Sequence, residues 1–581
     1  MPERARRRRG AAALWLVADA AVAGIFPGLA EALLLFVLTP DRPLTLGGYL
    51  AALVALSPQI LGAFVLLGPA LVLAGRALAV GRFTRRGLSR RYILRFALLD
   101  ALLIGAAAAH QYRSLGGLLP PQGRVALALV ASSTLAAAGV LALLAALDLR
   151  REGSVGGPWL AAVALGFLVA LGVAASLRRV QSPDPVPVDL PGFEAERTLL
   201  VVEMPGWTAA ELARHADRGD LRAVARLAAT GTLAEVAGPP PADPLALHAT
   251  LATGQPPRVH ALFGQHRYRP LWDRRSFAVL PRGLLLAPLL GTRLWVRVPV
   301  AGESLRAVAL PGIARGLGLK AAVIGDPLAW REPWCVPAAR LGPGREIPLP
   351  GGGSVTCPDP GDLASRYFQT PAERLQGSRR LAGELRDAFA ADACAIEIAA
   401  RALAAGVPIV HVRLAGHGRA ALRFAGFRPE SRARATGDRE VAAYRHVLRR
   451  YRHDLDERLA PLVDEILRGG GLAAIVSPFG VRPRQDPLRL VEPLLGLDRP
   501  TATLAGPVPG ALLLAGPGVG RKRAPDRPVP LVSVLPTLLW ALGLPVAEDA
   551  GAVAFELFEP EFRAAHPVVT VPSFDARRAG R

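Results

Sequence analysis

The stretch AAIVSPFGVRP, residues 473–483, decides how this chain is read. Four apolar residues rich in branched side chains precede Ser477, and a turn-forming Pro-Phe-Gly follows. That is the pattern of a buried strand running into a loop. In an α/β protein the loop at a carboxyl strand end is where polar, reactive side chains normally sit. Here those places are taken by Pro478 and Phe479.

Working outward, similar short apolar runs recur: RTLLVVEM from 197, KAAVIGDP from 320, VPIVHVRL from 407 and GALLLAGPGV from 510. Segments of helical period lie between them, such as AAELARHADRGDLRAVARLAATG and AAYRHVLRRYRHDLDERLAPLVDEIL. Strands with no polar face must be covered on both sides. The expected fold for 197–581 is therefore a three-layer α/β/α sandwich around a mostly parallel sheet, with its site at the carboxyl strand ends.

Residues 1–180 have a different composition. Long runs of Ala, Leu, Val and Gly, near the roughly 20 residues of a bilayer span, predict an all-α transmembrane bundle of about five helices. The runs fall near 11–38, 50–75, 92–109, 125–147 and 158–177. The third is short and carries Asp100, which leaves a four-span reading open. Asp19, Glu31 and Asp100 inside spans would face water or a protein partner. Five arginines in MPERARRRRG, seven from Arg76 to Arg95 and two in DLRRE outnumber those of the opposite loops. The positive-inside rule then places the amino terminus in the cytoplasm and everything past residue 180 outside, in the inner membrane of a bacterium. Residues 181–196, QSPDPVPVDLPGFEAE, read as a Pro-rich linker.

The formal charge of +22 is almost all scattered Arg, with Lys only at 320 and 522. That bias excludes a nucleic-acid-binding face as the best reading. Of three cysteines, Cys335 and Cys357 are expected to pair in an oxidising compartment, leaving Cys394 buried and free; three unpaired thiols are the alternative.

Several phrases resemble the alkaline phosphatase superfamily, in particular its type I phosphodiesterase and nucleotide pyrophosphatase branch, whose fold sulfatases share. LLVVEMPGW is similar to that branch's opening strand, and RLAATGTLAEVAGPPPADPLALHATLATGQPPRVHAL to its nucleophile region. VHVRLAGH resembles its Asp-x-x-x-His, AIVSPFG its Ser-Asp-His-Gly, and LVSVLPTLLWALGLPVAEDAGAVAFELF its tail. Spans followed by such a domain are also similar to lipoteichoic acid synthases and phosphoethanolamine transferases.

The resemblance implies two metal ions, usually zinc, that steady a Thr or Ser nucleophile. Position by position, the family's first Asp falls on Pro205, the nucleophile on Pro244, and the mid-domain Asp on Arg413. The partner His is kept as His417. The Asp-His pair falls on Pro478 and Phe479, and the last His on Gly506. Pro, Phe and Gly supply no ligand atom, and a guanidinium repels a dication.

The expectation is thus a degenerate member without catalytic residues or cofactor, serving as a binding or scaffolding subunit. Its partners would be the bilayer, a phosphorylated or anionic ligand, or a second membrane or periplasmic protein. The alternative is an active metal-dependent phosphodiesterase, phosphatase or headgroup transferase with zinc or another divalent metal in a rebuilt site. Glu203, Asp243, His248, Arg413 and His417 are the cleft residues from which it would be rebuilt. Asp243 followed by Pro244 also reads as a helix N-cap.

Overall fold

The computed structural model describes most of residues 98–148 and 184–579; residues 1–97, 149–183, 277–294, 369–377 and 486–499 are the longer stretches outside it. The chain divides into two compact units, one of residues 1–182 with His266–Pro299, the other of residues 183–265 with Val300–Arg581.

In the first unit, the segment expected as the fourth span is helical, within Pro121–Asp148. Among the described residues no helix combines the length and apolarity needed to cross a membrane. The first, second and fifth expected spans lie outside the described residues, as do Asp19, Glu31 and, in the third, Asp100. The transmembrane bundle thus stays an expectation of the sequence. This unit also holds an antiparallel strand pair, His266–Pro270 with Trp295–Pro299, which composition did not reveal.

The second unit is built on an eight-stranded sheet. Its strands in chain order are β1 (Leu199–Glu203), β2 (Thr232–Ala237), β3 (Ala321–Asp326), β4 (Cys335–Pro337), β5 (Ile409–Arg413), β6 (Leu472–Ser477), β7 (Gly510–Ala515) and β8 (Val529–Pro530). They lie in the order β8-β2-β7-β6-β1-β5-β3-β4, and only β7 runs antiparallel to its neighbours. All five strands read from the sequence are present. Strands β1, β5, β6 and β7 are buried at every position, so both sheet faces are covered. Mixed α/β architecture with a large, mostly parallel sheet is what the branched apolar runs require.

The helices that cover the sheet include α1 (Ala209–Arg218), α2 (Arg222–Thr230), α3 (Pro244–Thr253), α4 (Ser378–Ala404), α5 (Ala415–Phe424) and α6 (Val447–Arg468). Helix α3 starts at Asp243, whose carboxylate accepts from the Leu245 and Ala246 amides, with Pro244 in the first turn. It ends at Gly254, φ 65°, in the left-handed region that glycine adopts without strain.

Within the segment read as a linker, Val188 N–H donates to Phe574 O, Leu190 N–H to Gly316 O and Glu196 N–H to Leu542 O. One expectation, the cysteine pairing, is corrected. The disulfide joins Cys357 to Cys394, and Cys335 is the free thiol. The physical reason is placement. Cys335 is held on edge strand β4, paired with Val323 in the sheet. Cys357 follows a hairpin (Glu346–Pro348 with Ser354–Thr356) that packs on α4, where Cys394 lies. Burial pushes the Cys335 thiol up to about 12.

Candidate functional site

Strands β1, β5 and β3 are parallel neighbours, so their carboxyl ends come together. Glu203 closes β1 opposite Arg413 on β5. Gly325, φ 76°, sits where a Cβ would meet the Arg413 carbonyl oxygen at 2.3 Å, and the register shifts there to Asp326. Only glycine allows β3 to pass that close.

These strand ends and α3 form a buried polar cluster. Arg413 Nε donates to Glu203 Oε1 at 2.9 Å, and His248 Nδ1 donates to Glu203 Oε2 at 2.7 Å. His411 Nε2 lies 3.2 Å from Glu203 Oε2, and His248 Nε2 lies 3.1 Å from Asp326 Oδ1. The last two are close charge contacts whose angles fall short of aligned hydrogen bonds. Glu203 and His248 have no solvent exposure.

Burial alone would raise the Glu203 carboxyl, but the His248 and Arg413 charges hold it well below the usual carboxylate range. Burial would likewise strip the His248 proton, yet Glu203 and Asp326 on either side raise it to about 9. At neutral pH the Glu203 carboxylate is thus flanked by the His248 imidazolium and the Arg413 guanidinium. A buried network of this kind must be complete to be tolerated.

Arg413 also lines a cleft of about 490 Å³, with Gly325, Arg345, Arg386, Asp392 and Arg419 among its walls. Its Nε is spent on Glu203. Asp392, fully buried, accepts from the Gly416 and His417 amides at the start of α5 and from the Tyr451 hydroxyl. Burial outweighs those bonds and lifts its carboxyl to about 6.

His417, which the resemblance matches to a metal-binding histidine, belongs to a different network. His417 Nδ1 donates to Pro205 O at 2.8 Å, and its Nε2 accepts from Arg452 Nε at 3.1 Å. Burial and then the Arg452 charge push this imidazole down to about 3, so it is neutral. Arg452 stacks over Trp207, 3.5 Å from the ring centroid, and reaches Glu211, which also pairs with Arg428. Both ring nitrogens of His417 are therefore engaged.

The β6 end is held by Ser477. The Ser477 hydroxyl accepts from the Gly206 and Trp207 amides and donates to Phe479 O. Gly206 N–H also donates to Phe479 O. Phe479 is 3% exposed, within the main hydrophobic core. The loops after β1 and β6 are thus sewn shut where the resemblance would put metal ligands.

Of the residues singled out in sequence, Glu203, His248 and Arg413 come together; Asp243 is a helix cap and His417 lies in the second network. Gly506 lies outside the described residues. A dication does not fit these positions. Pro205, Pro478 and Phe479 have no donor side chain, His417 has no free nitrogen, and Glu203 is already bound by two cations. Among the described residues no group of three or more His, Cys, Asp or Glu is arranged to hold a metal ion. Sequence reading missed Asp326, His411, Arg419 and Asp392. The phrases VIGDP and VHVR held the first two: Asp326 ends β3, and His411 lies two residues before Arg413 on β5.

No protein-family model matches the chain, and no curated protein does. Among solved structures it is similar to phosphonoacetate hydrolase from Sinorhizobium meliloti 1021, with a TM-score of 0.29, 17% identity, and 54% of this chain and 67% of that chain covered. It is also similar to a mutant of alkaline phosphatase PafA (TM-score 0.37, 10% identity, 63% and 100% covered). A third is murine ectonucleotide pyrophosphatase/phosphodiesterase 5 (TM-score 0.34, 11% identity, 62% and 100% covered).

Proposed function

We propose that this chain is a membrane-anchored, catalytically degenerate relative of the alkaline phosphatase superfamily that binds a phosphorylated or otherwise anionic ligand in the arginine-lined cleft. One observation carries the reading: a buried carboxylate, Glu203, fixes the Arg413 guanidinium at the strand end where the resemblance expects a metal-binding Asp. A guanidinium so held is a ready-made receptor for the oxygens of a phosphoryl group or carboxylate.

The closed loops at Pro205 and Phe479, and the occupied nitrogens of His417, support loss of metal-assisted chemistry. The Cys357–Cys394 disulfide supports an oxidising, extracytoplasmic location. Membrane anchoring is supported by the apolar runs and arginine asymmetry of residues 1–180. Binding to a second membrane protein is the other use such a domain would have.

The test uses the full-length chain in detergent micelles. Metal content, turnover of a chromogenic phosphodiester and calorimetric titration with inorganic phosphate are measured together. The expected result is phosphate binding with neither bound zinc nor turnover. Stoichiometric metal with metal-dependent turnover would instead establish the active phosphodiesterase or transferase reading.

A further inference from the structure

We propose that the Cys357–Cys394 disulfide positions Arg345 in the anion cleft, so that full-strength ligand binding requires the oxidised chain. The inference rests on the cleft being the ligand site.

Beside the strand ends and α5, which supply Gly325, Arg413 and Arg419, the cleft has two walls from separate parts of the chain. One is the loop carrying Arg345; the other is α4, which contributes Arg386 and Asp392. Cys394 lies on that same helix, two residues beyond Asp392. Cys357 is locked to the loop wall by two backbone bonds: its N–H donates to Arg345 O at 2.7 Å, and Gly344 N–H donates to Cys357 O at 3.1 Å. The disulfide therefore connects Arg345 to α4 through a short, fixed path.

Apart from the packing of Ile347 and Val355 into the core that α4 shares, little else does so. The hairpin between Arg345 and Cys357 has strands of three residues each, and its turn runs through Gly351, Gly352 and Gly353, all at positive φ. A two-stranded sheet that small is marginal alone. The second link, Arg386 with Asp359, is exposed to solvent and so contributes little. Both cysteines are essentially without solvent exposure, at 1% and 0%. A reductant reaches them only after the wall has opened, which makes the bond a fixed strut.

The experiment is calorimetric titration of the full-length chain in detergent micelles with inorganic phosphate and with pyrophosphate. Arg345→Ala in the native background is expected to weaken binding about tenfold, the loss of one charge-assisted hydrogen bond. The Cys357→Ala/Cys394→Ala pair is expected to weaken it similarly, and adding Arg345→Ala to that pair to cost less than about twofold more, because both changes remove the same contact. A folded Cys-pair variant that binds phosphate as the native chain does would overturn the inference, as would full additivity.

If the Cys pair does not fold, Arg345→Ala alone decides: unchanged affinity overturns the proposal, and a tenfold loss supports it. A native chain that binds neither anion removes the ligand site itself. A native chain that binds, with only the Cys and Arg345 variants silent, removes this inference alone.

Discussion

Arg413 and Glu203 face each other across the β1–β5 pair, the guanidinium Nε 2.9 Å from a carboxylate with no solvent exposure. The resemblance read from the sequence would put an acidic metal ligand at Arg413; the structure has a guanidinium there, with the acid one strand away on β1.

Glu203→Gln tests the pair. Removing the carboxylate charge leaves Arg413 without its buried partner and His248 with Asp326 alone, which costs about 3–5 kcal/mol by analogy with other broken buried pairs. Thermal melting of the full-length chain should show the second unit unfolding well below the native value.

The pH dependence of stability follows from two histidines. His248 is raised to about 9 in the folded chain, so its contribution is complete below its ordinary value, near 6.5, and is lost as pH rises through 9. His417 is lowered to about 3; the unfolded chain takes up its proton first, so stability falls as pH drops below about 6.5. Asp392, raised to about 6, offsets part of the acid arm, because its share is present below its ordinary value and lost as pH rises to 6. Melting temperature should therefore peak near neutrality, and His248→Gln should flatten the alkaline arm.

His417→Ala separates a structural histidine from a metal ligand. It leaves the Pro205 carbonyl and the Arg452 Nε without their partner, at about 1–3 kcal/mol for each buried group left unsatisfied. The loss should be the same after chelator treatment as with added zinc. A melting temperature that zinc raises in the native chain alone would contradict this.

Phe479→Ala should cost about 3–5 kcal/mol, as for other large aromatic truncations in cores. Urea unfolding followed by tryptophan fluorescence measures it. An unchanged midpoint would mean that the ring fills no core space.

Much of this was legible in the sequence because the signals were local. Five strands showed as unbroken branched runs, and Asp243-Pro244 with Gly254 marked both ends of α3. Strand β2 was hidden because it alternates between buried and exposed positions inside a segment of helical composition. Strands β4 and β8 are three and two residues long, too short for a period. The Glu203–His248–Arg413 association joins residues as much as 210 apart, and only the sheet order brings them together. The disulfide was misassigned because spacing says nothing of which cysteine is immobilised on a sheet edge. Arg345, Arg386 and Arg419 could not be told from the many other arginines until the cleft gathered them.

The most direct measurement is phosphate titration of the chelator-treated full-length chain, native and Arg413→Lys, by calorimetry. The account predicts saturable binding by the native chain without any divalent metal, and a loss of about tenfold or more when the planar fork becomes a point charge. Binding that appears only with added zinc, or that is indifferent to Arg413→Lys, would contradict it.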